Sequence, residues 1–257
     1  MSIFHLTISV RGRRALARDE LERRVLVRAI ARPGRGLLRF CLVDDPLHAV
    51  VRVARPRYLA RDIRRAVRAL RPDLELKPPH LEPVDSRPYL LRLVAYVMRQ
   101  PEKHGLATAP ALWTGSCFQD LVRARVLPGF DPRQLAAELP RLRLREVFEV
   151  VGLEPRPLVA SGDEALRRAG AARLVDLATG VYAVDPELRG HTKPVVSARI
   201  LATRIASTVG VPRGEVARFL GVSPQAVGRL AKRVVEPRAL DALRRRLTLE
   251  ERLARAG

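Results

Sequence analysis

The sequence lacks the features that mark secreted or membrane-embedded proteins. Its 257 residues include two cysteines, Cys41 and Cys117, too few for a disulfide framework or, alone, for a structural zinc site. No stretch approaches the roughly 18 consecutive apolar residues of a membrane span, and Met1–His5 is not the start of a signal peptide's apolar run. The sequence therefore predicts a cytoplasmic protein with reduced thiols.

Acidic residues, lysine and aromatics are scarce beside arginine. Lys and Arg number 48 against 27 Asp and Glu, a net charge of +21, and only four of the 48 are lysines. Such an excess favours a polyanionic partner, because neutralising phosphates releases counterions. Codon usage in a GC-rich genome can explain arginine over lysine but not the net charge. Aromatics at 4% disfavour single-stranded RNA, and no basic amphipathic helix with bulky aromatics favours a membrane surface. We therefore predict a DNA-binding protein.

The first hundred residues predict a small α+β sandwich. Between Phe4 and Val10, apolar residues alternate with polar ones, which is typical of a half-buried strand. Further strands are predicted at 37–43 and 48–54, an extended segment at 74–84, and helices at 18–32, 58–70 and 87–99. This order favours a sheet with one face covered by helices.

The third predicted helix carries a tyrosine away from its apolar stripe. That stripe is formed by Leu90, Leu93, Val94 and Val97. Tyr96 lies roughly 110° from its centre, beside Arg92 and one turn from Gln100. The position favours a tyrosine offered to a basic surface. A tyrosine at the edge of the core, with its hydroxyl in water, is the alternative that spacing leaves open.

The segment from Tyr96 to Leu106 resembles a motif of the single-tyrosine HUH transposases, especially the REP-associated tyrosine transposases. In that family a tyrosine is followed at four residues by Asn or Gln, then Pro, and later by Gly-Leu. Three further segments are similar to parts of that family. Residues 4–12 are similar to its opening strand, 42–48 to its metal-binding hairpin, and 112–116 to the segment after the tyrosine helix. The resemblance covers about residues 3–131 and implies a ferredoxin-like sandwich.

The resemblance also implies a chemistry and a set of partners. Tyr96 corresponds to the nucleophile that forms a covalent phosphotyrosine with single-stranded hairpin DNA. His48 and Gln100 correspond to ligands of Mg²⁺ or Mn²⁺, which polarises the scissile phosphate. Arg92 is expected to contact the DNA, and a homodimer is implied because the family often works as one.

The sequence departs from the family at the His-hydrophobe-His element, which here is Pro46-Leu47-His48. Proline has no side-chain ligand, and Asp44 or Asp45 is a candidate to supply an oxygen instead. Two hypotheses follow: a metal-dependent transposase, or a DNA-binding or regulatory protein on the same fold without competent metal chemistry. His5 and His104 are predicted to be structural.

The last part of the chain predicts an all-α helix-turn-helix region. Residues 213–230 resemble that family, in which a small residue, a turn glycine and a buried β-branched residue keep the spacing of Ala217, Gly221 and Val227. Ser223 is the expected cap of the second helix. The predicted domains are 1–131, a helical connector at 132–194 with no catalytic constellation, and a DNA-binding domain at 195–257.

The second helix of this region has exposed residues suited to a DNA major groove. We expect Gln225 and Arg229 to contact bases and Lys232 and Arg233 to contact phosphates of double-stranded DNA. A hairpin used for oligomerisation, or a solvated charged face, is the alternative.

Overall fold

Four strands form one antiparallel sheet in the computed structural model, which describes residues 2–12, 14–33, 36–107, 109–132 and 144–256. The strands are β1 (Ser2–Ile8), β2 (Leu37–Leu42), β3 (Leu47–Val53) and β4 (His80–Val84). Their order in the sheet is β2-β3-β1-β4, and every neighbouring pair is antiparallel. Together with the helices below, the sheet confirms the predicted mixed α+β class.

Two helices connect the strands. Helix α1 (Glu20–Ala31) lies between β1 and β2, and its first turn is capped by the Asp19 carboxylate, which accepts a hydrogen bond from the backbone N–H of Glu22. Helix α2 (Pro56–Leu70) lies between β3 and β4 and begins with a proline, which suits the first turn of a helix. Its buried stripe includes Leu59, Ile63 and Val67, while most of its arginines face solvent.

A third helix, α3 (Arg87–Met98), packs on the sheet through its apolar stripe. Val94 and Val97 share a buried cluster with Val50 of β3 and Leu38 of β2. All six residues of β2 are buried, because side chains on both of its faces are covered. The prediction that helices cover only one face of the sheet is therefore wrong.

Within the described residues, the first of two compact units also contains three short helices and a 3₁₀ turn. They are α4 (Gln100–Lys103), the turn Pro110–Leu112, α5 (Phe118–Leu121) and α6 (Leu144–Val150). The segment after the 3₁₀ turn lies close against β2, where the Trp113 indole donates to the carbonyl of Leu42 over 2.8 Å. A Cβ atom on Gly115 would lie 2.1 Å from the same carbonyl oxygen, so the approach requires glycine.

The second unit is helical and has its own core. Its helices are α7 (Asp163–Tyr182), α8 (Lys193–Thr208), α9 (Arg213–Leu220), α10 (Pro224–Ala231) and α11 (Pro237–Ala256), and all five contribute to the shared core or pack against it. None of the helices in the described ranges combines the length and apolar character of a membrane span.

The division of the chain differs from the predicted domains. The first unit comprises residues 1–121 and 127–157, and the second comprises 122–126 and 158–257. Helix α7, expected in a connector, lies instead in the core of the second unit with α8, because its apolar residues Leu174, Leu177 and Val181 are buried there. Residues 133–143 of the expected connector lie outside the described residues.

Helices α9 and α10 are joined by the short turn that the sequence predicts. Gly221 ends α9 in the left-handed conformation (φ 62°, ψ 36°), which favours glycine. The Ser223 hydroxyl then accepts a hydrogen bond from the backbone N–H of Ala226 and caps α10. Ala217 and Val227 are both buried between the helices and the unit's core, as their spacing predicts.

Candidate functional site

Two histidines from neighbouring strands meet on the α3 face of the sheet. The register of β1 on β3 places Thr7 opposite His48 and His5 opposite Val50, so the two imidazoles are diagonal neighbours on one face. His5 Nε2 and His48 Nδ1 lie 3.1 Å apart. The side chains are nearly buried, with 8% and 5% of their residues' surfaces exposed.

The His5 position was not predicted to belong to a site. In the alternating pattern of β1, His5 falls among the polar residues that a half-buried strand turns to solvent. It is buried because α3 covers that face of the sheet. Only the strand register brings it to His48, from which it is 43 residues away in sequence.

Tyr96 lies beside this histidine pair. Its ring is roughly perpendicular to both imidazoles, with centroid distances of 5.2 Å to His48 and 6.1 Å to His5. The residue is 39% exposed, and the Lys103 ammonium lies 5.0 Å from the ring centroid. The tyrosine is therefore at the edge of the core, as one reading of the sequence allows, and it is reachable from solvent with a cation beside it.

Gln100 is almost completely buried next to the tyrosine, at 1% exposure. Its Nε2 donates a hydrogen bond of 3.0 Å to the backbone carbonyl of Tyr96, which can only accept, so the orientation of the amide is fixed. Its Oε1 has no hydrogen-bond partner among the described residues. A buried amide oxygen left unpaired is costly, and carbonyl oxygens are ligands of Mg²⁺ and Mn²⁺. The amide oxygen is thus available for a ligand.

Both histidines are held in the neutral form near pH 7. Burial lowers the pKa of His48 to about 3, and electrostatic interaction with His5, His104 and Lys103 acts in the same direction. Burial also lowers the pKa of His5, against the opposing effect of Glu82. A neutral imidazole keeps one nitrogen lone pair free, as metal binding requires.

A carboxylate lies on the far side of His5 from His48. The distance from Glu82 Oε2 to His5 Nδ1 is 3.8 Å, which positions the ring so that Nε2 is directed to His48. A hydrogen bond to Glu82 also raises the pKa of the Tyr89 hydroxyl. Glu82 and Tyr89 were not predicted as site residues, because β4 and α3 carry no motif that marks them.

Of the two aspartates considered as replacement ligands, Asp45 has a carboxylate that is engaged elsewhere. Asp45 Oδ1 accepts a 3.0 Å hydrogen bond from the backbone N–H of Val10, and partial burial raises the pKa of its carboxyl. The backbone carbonyl of Asp44 accepts from Leu16 N–H. Across the described ranges, no three His, Cys, Asp or Glu side chains come together as a metal-binding group. A cation at the histidine pair would therefore need a further donor, and the Gln100 amide oxygen is a candidate.

The remaining predicted site residues are exposed. Arg92 lies one helical turn before Tyr96 on α3, in the first unit. In the second unit, Gln225 and Arg229 of α10 face solvent, as do Lys232 and Arg233 immediately after it.

Helix α2 presents a basic surface that also carries an aromatic side chain. It contains five arginines against one aspartate. Tyr58 is half exposed, and the guanidinium groups of Arg55 and Arg61 lie 5.7 Å and 4.8 Å from its ring centroid. Exposed aromatic rings next to arginines are typical of surfaces that bind single-stranded nucleic acid.

Comparison with known proteins adds no relative: no family model, curated protein or solved structure matches the chain.

Proposed function

We propose that this chain is a DNA-binding protein of the single-tyrosine HUH transposase type, which cleaves and rejoins single-stranded DNA through Tyr96. The observation that carries the proposal is the contact of the Tyr96 ring with the His5–His48 pair. Gln100, whose buried amide oxygen has no partner among the described residues, follows Tyr96 by one helical turn. A solvent-accessible phenol next to neutral imidazoles and a free amide oxygen suits a nucleophile adjacent to a cation site.

The topology of the first unit supports the same proposal. Its element order is β1-α1-β2-β3-α2-β4 and its sheet order is β2-β3-β1-β4. This β-α-β-β-α-β order is the one expected of the ferredoxin-like fold that the resemblance implies, and it supports that assignment. The additional helix α3 carries the tyrosine to the sheet face on which His48 lies.

The proposed reaction exchanges one phosphodiester for another. The Tyr96 oxygen loses its proton to solvent and forms a bond to a DNA phosphorus, while the bond from phosphorus to the leaving strand's oxygen breaks. That oxygen takes up a proton and becomes a free hydroxyl. The phosphate stays a diester, now linked to the protein, so the reverse step rejoins a strand without any external energy source.

A divalent cation fits the donor set of the site. Neutral imidazole and amide oxygen are accepted by Mn²⁺, and Mg²⁺ accepts the oxygen donor readily. His48 and Gln100 would hold the cation, which when bound supplies polarisation of the scissile phosphate. Burial of both side chains keeps competing water away from these donors.

The charge distribution supports DNA as the substrate. The basic face of α2 and the exposed Arg92 supply phosphate-binding groups, and Tyr58 offers a ring on which a base can stack. In the second unit, the exposed face of α10 carries Gln225 and Arg229, whose side chains suit base edges of a duplex. We therefore assign single-stranded hairpin DNA to the first unit and double-stranded DNA to the second.

A second candidate function is DNA binding without cleavage. It is favoured by Pro46, which stands where the family has its first metal-binding histidine, and by the absence of a three-residue His, Cys, Asp or Glu group among the described residues. On this alternative the chain would act as a regulatory DNA-binding protein on the same fold.

Covalent trapping distinguishes the two functions. End-labelled single-stranded hairpin DNAs of varied sequence are incubated with the protein and Mn²⁺ or Mg²⁺, then denatured. We expect an adduct that survives denaturation, requires the metal, and is lost in Tyr96→Phe but kept in Tyr182→Phe, a control in the second unit. Tight binding by both variants with no adduct on any hairpin would instead establish the second candidate.

A further inference from the structure

We infer that His5 supplies the metal ligand that is missing at Pro46, so that a divalent cation is held between β1 and β3 by His5, His48 and Gln100. The inference rests on the proposed function for the role of the cation, but the binding of the cation itself is separately measurable. In this site one ligand, His5, comes from β1, whereas both histidines of the His-hydrophobe-His pattern would come from the segment that contains His48.

The distance between the two imidazoles fits two ligands of one ion. Metal-to-nitrogen bonds are about 2.0–2.1 Å long. Two such ligands are therefore about 3.0 Å apart at a right angle and about 3.4 Å apart at the tetrahedral angle, by simple trigonometry on that bond length. The 3.1 Å between His5 Nε2 and His48 Nδ1 lies within this range. An ion in this position would lie off the line that joins the two nitrogens, so each ring would turn from the present hydrogen bond to direct a lone pair at it.

The third donor is already present and has no other partner. Gln100 is 1% exposed, and its Nε2 is fixed by the carbonyl of Tyr96. Its Oε1 is left without a partner among the described residues, although most buried polar atoms in proteins have one. A bound cation would satisfy this oxygen.

Glu82 supports the same assignment from behind His5. Ligating histidines usually donate their other ring N–H to a carboxylate or carbonyl, which fixes the tautomer and the ring orientation. Glu82 Oε2 lies 3.8 Å from His5 Nδ1, the nitrogen that does not face His48. No comparable carboxylate contact is recorded for His48 within the described part of the chain, so Glu82 is a positioning residue specific to His5.

The register shows how this site differs from one built on Pro46. His5 is paired with Val50, two residues beyond His48 along β3, whereas Pro46 precedes His48 by two residues. Two residues of a strand span roughly 6.6 Å. The inferred cation is therefore displaced along β3 toward Val50, on the side where the Tyr96 ring contacts both histidines.

The test measures Mn²⁺ binding to the full-length chain without DNA. Calorimetric titration is compared for the wild type, His5→Asn, His48→Asn and the control His191→Asn in the second unit, each checked for folding by thermal melting. We expect His5→Asn and His48→Asn each to weaken Mn²⁺ affinity by about tenfold or more, since losses in outer-shell partners alone cost about 10–100-fold. His191→Asn should bind as the wild type does.

A measurement on the wild type alone covers the case in which a variant fails to fold. Substoichiometric Zn²⁺, which is diamagnetic and so affects mainly its own ligands, should shift the ring resonances of His5 and His48 together. A shift of His48 without His5, or no Mn²⁺ binding at all, would overturn the inference. If an adduct forms on Tyr96 but Mn²⁺ binding does not depend on His5, the proposed function stands and the inferred metal site is wrong. If Mn²⁺ binding depends on His5 but no adduct forms, cleavage is refuted and the inferred metal site stands.

Discussion

Arg71, the residue that follows α2, is a buried guanidinium whose partners come from three parts of the first unit. Its Nη1 donates to the backbone carbonyls of Ala15 and Leu16 and to the carboxylate of Glu22, at 3.2, 3.0 and 3.1 Å. Its Nε and Nη2 each donate to Asp73 over 2.9 Å. The side chain thereby ties the segment after β1 to α1 and to the end of α2, and the charge is tolerated because its donors are satisfied.

This network predicts a loss of stability in acid. The hydrogen bond from Arg71 lowers the pKa of Asp73 to about 2, and the bond from Arg18 lowers the pKa of Glu22. A folded-state pKa below the unfolded value contributes stability above about pH 4 that is lost as the pH falls toward 2. In Asp73→Asn this part of the pH dependence should disappear.

The measurement is the midpoint of thermal unfolding, followed by the fluorescence of Trp113, the single tryptophan, which lies in the first unit. Asp73→Asn should melt below the wild type at neutral pH, and the two midpoints should converge as the pH falls to about 2. Curves that stay parallel over the whole acid range would show that the Asp73 carboxylate adds nothing to the folded state.

At the scale of the elements, local patterns predicted much of the first unit. Strands β1 to β3 and helices α1 to α3 begin and end within two residues of the predicted bounds, because alternation, apolar stripes and proline or glycine breaks are local signals. The position of Tyr96 off the apolar stripe was predicted in the same way. The placement of α3 on the second sheet face was not, since periodicity tells which side of a helix is buried but not what covers it.

The histidine pair shows why the site was only partly predictable. His48 and Gln100 stand at motif positions, whereas His5 reaches His48 through the register of β1 on β3. Register depends on the packing of a whole face, and a shift by one residue would turn His5 to the opposite side. Glu82 was missed for the same reason, and the buried Arg71 was missed because Ala15, Leu16 and Glu22, which it contacts, are distant in sequence.

The close approach of the segment after the 3₁₀ turn to β2 predicts a stability effect. In Gly115→Ala, the new Cβ would lie 2.1 Å from the Leu42 carbonyl oxygen, and relieving that clash requires a backbone shift. We expect a loss of about 1–3 kcal/mol in the free energy of unfolding. Urea denaturation followed by circular dichroism measures it.

Gly214→Ala is the matched control for that substitution. Gly214 lies in α9 with open space around the position of a Cβ, so alanine should be neutral or should stabilise the helix by up to about 1 kcal/mol. Equal unfolding curves for Gly115→Ala and the wild type would mean that the backbone near β2 can shift to accommodate the Cβ without loss of stability.

The whole molecule carries a net charge of +21, and its two units present separate basic surfaces. Arg57 and Arg68 lie on the same exposed face of α2, 11 residues apart, which is about 16 Å along the helix. That span covers several nucleotides of a single strand, so both guanidinium groups can neutralise phosphates of one DNA.

Binding of single-stranded DNA should therefore depend on salt in a way that α2 controls. Each phosphate neutralised contributes about −0.7 to the slope of log affinity against log salt, so Arg57→Gln with Arg68→Gln should reduce the steepness by about 1.4. Fluorescence anisotropy of a labelled single strand over a salt series measures the slope. Arg229→Gln in the second unit should leave the slope for the single strand unchanged. A slope in the α2 double variant equal to that of the wild type would contradict a role for α2 in binding single-stranded DNA.

Neither unit is encoded by one continuous piece of the chain. The second unit takes residues 122–126 from within the span of the first, and there Val126 donates a backbone hydrogen bond of 2.8 Å to Val181. A fragment that begins at Leu158 would lack this segment, and a fragment that ends at Leu121 would lack residues 127–157 of the first unit. A break after residue 157 would leave the first unit whole but the second without residues 122–126, so the DNA-binding surface proposed for the second unit depends on a segment that lies within the span of the first.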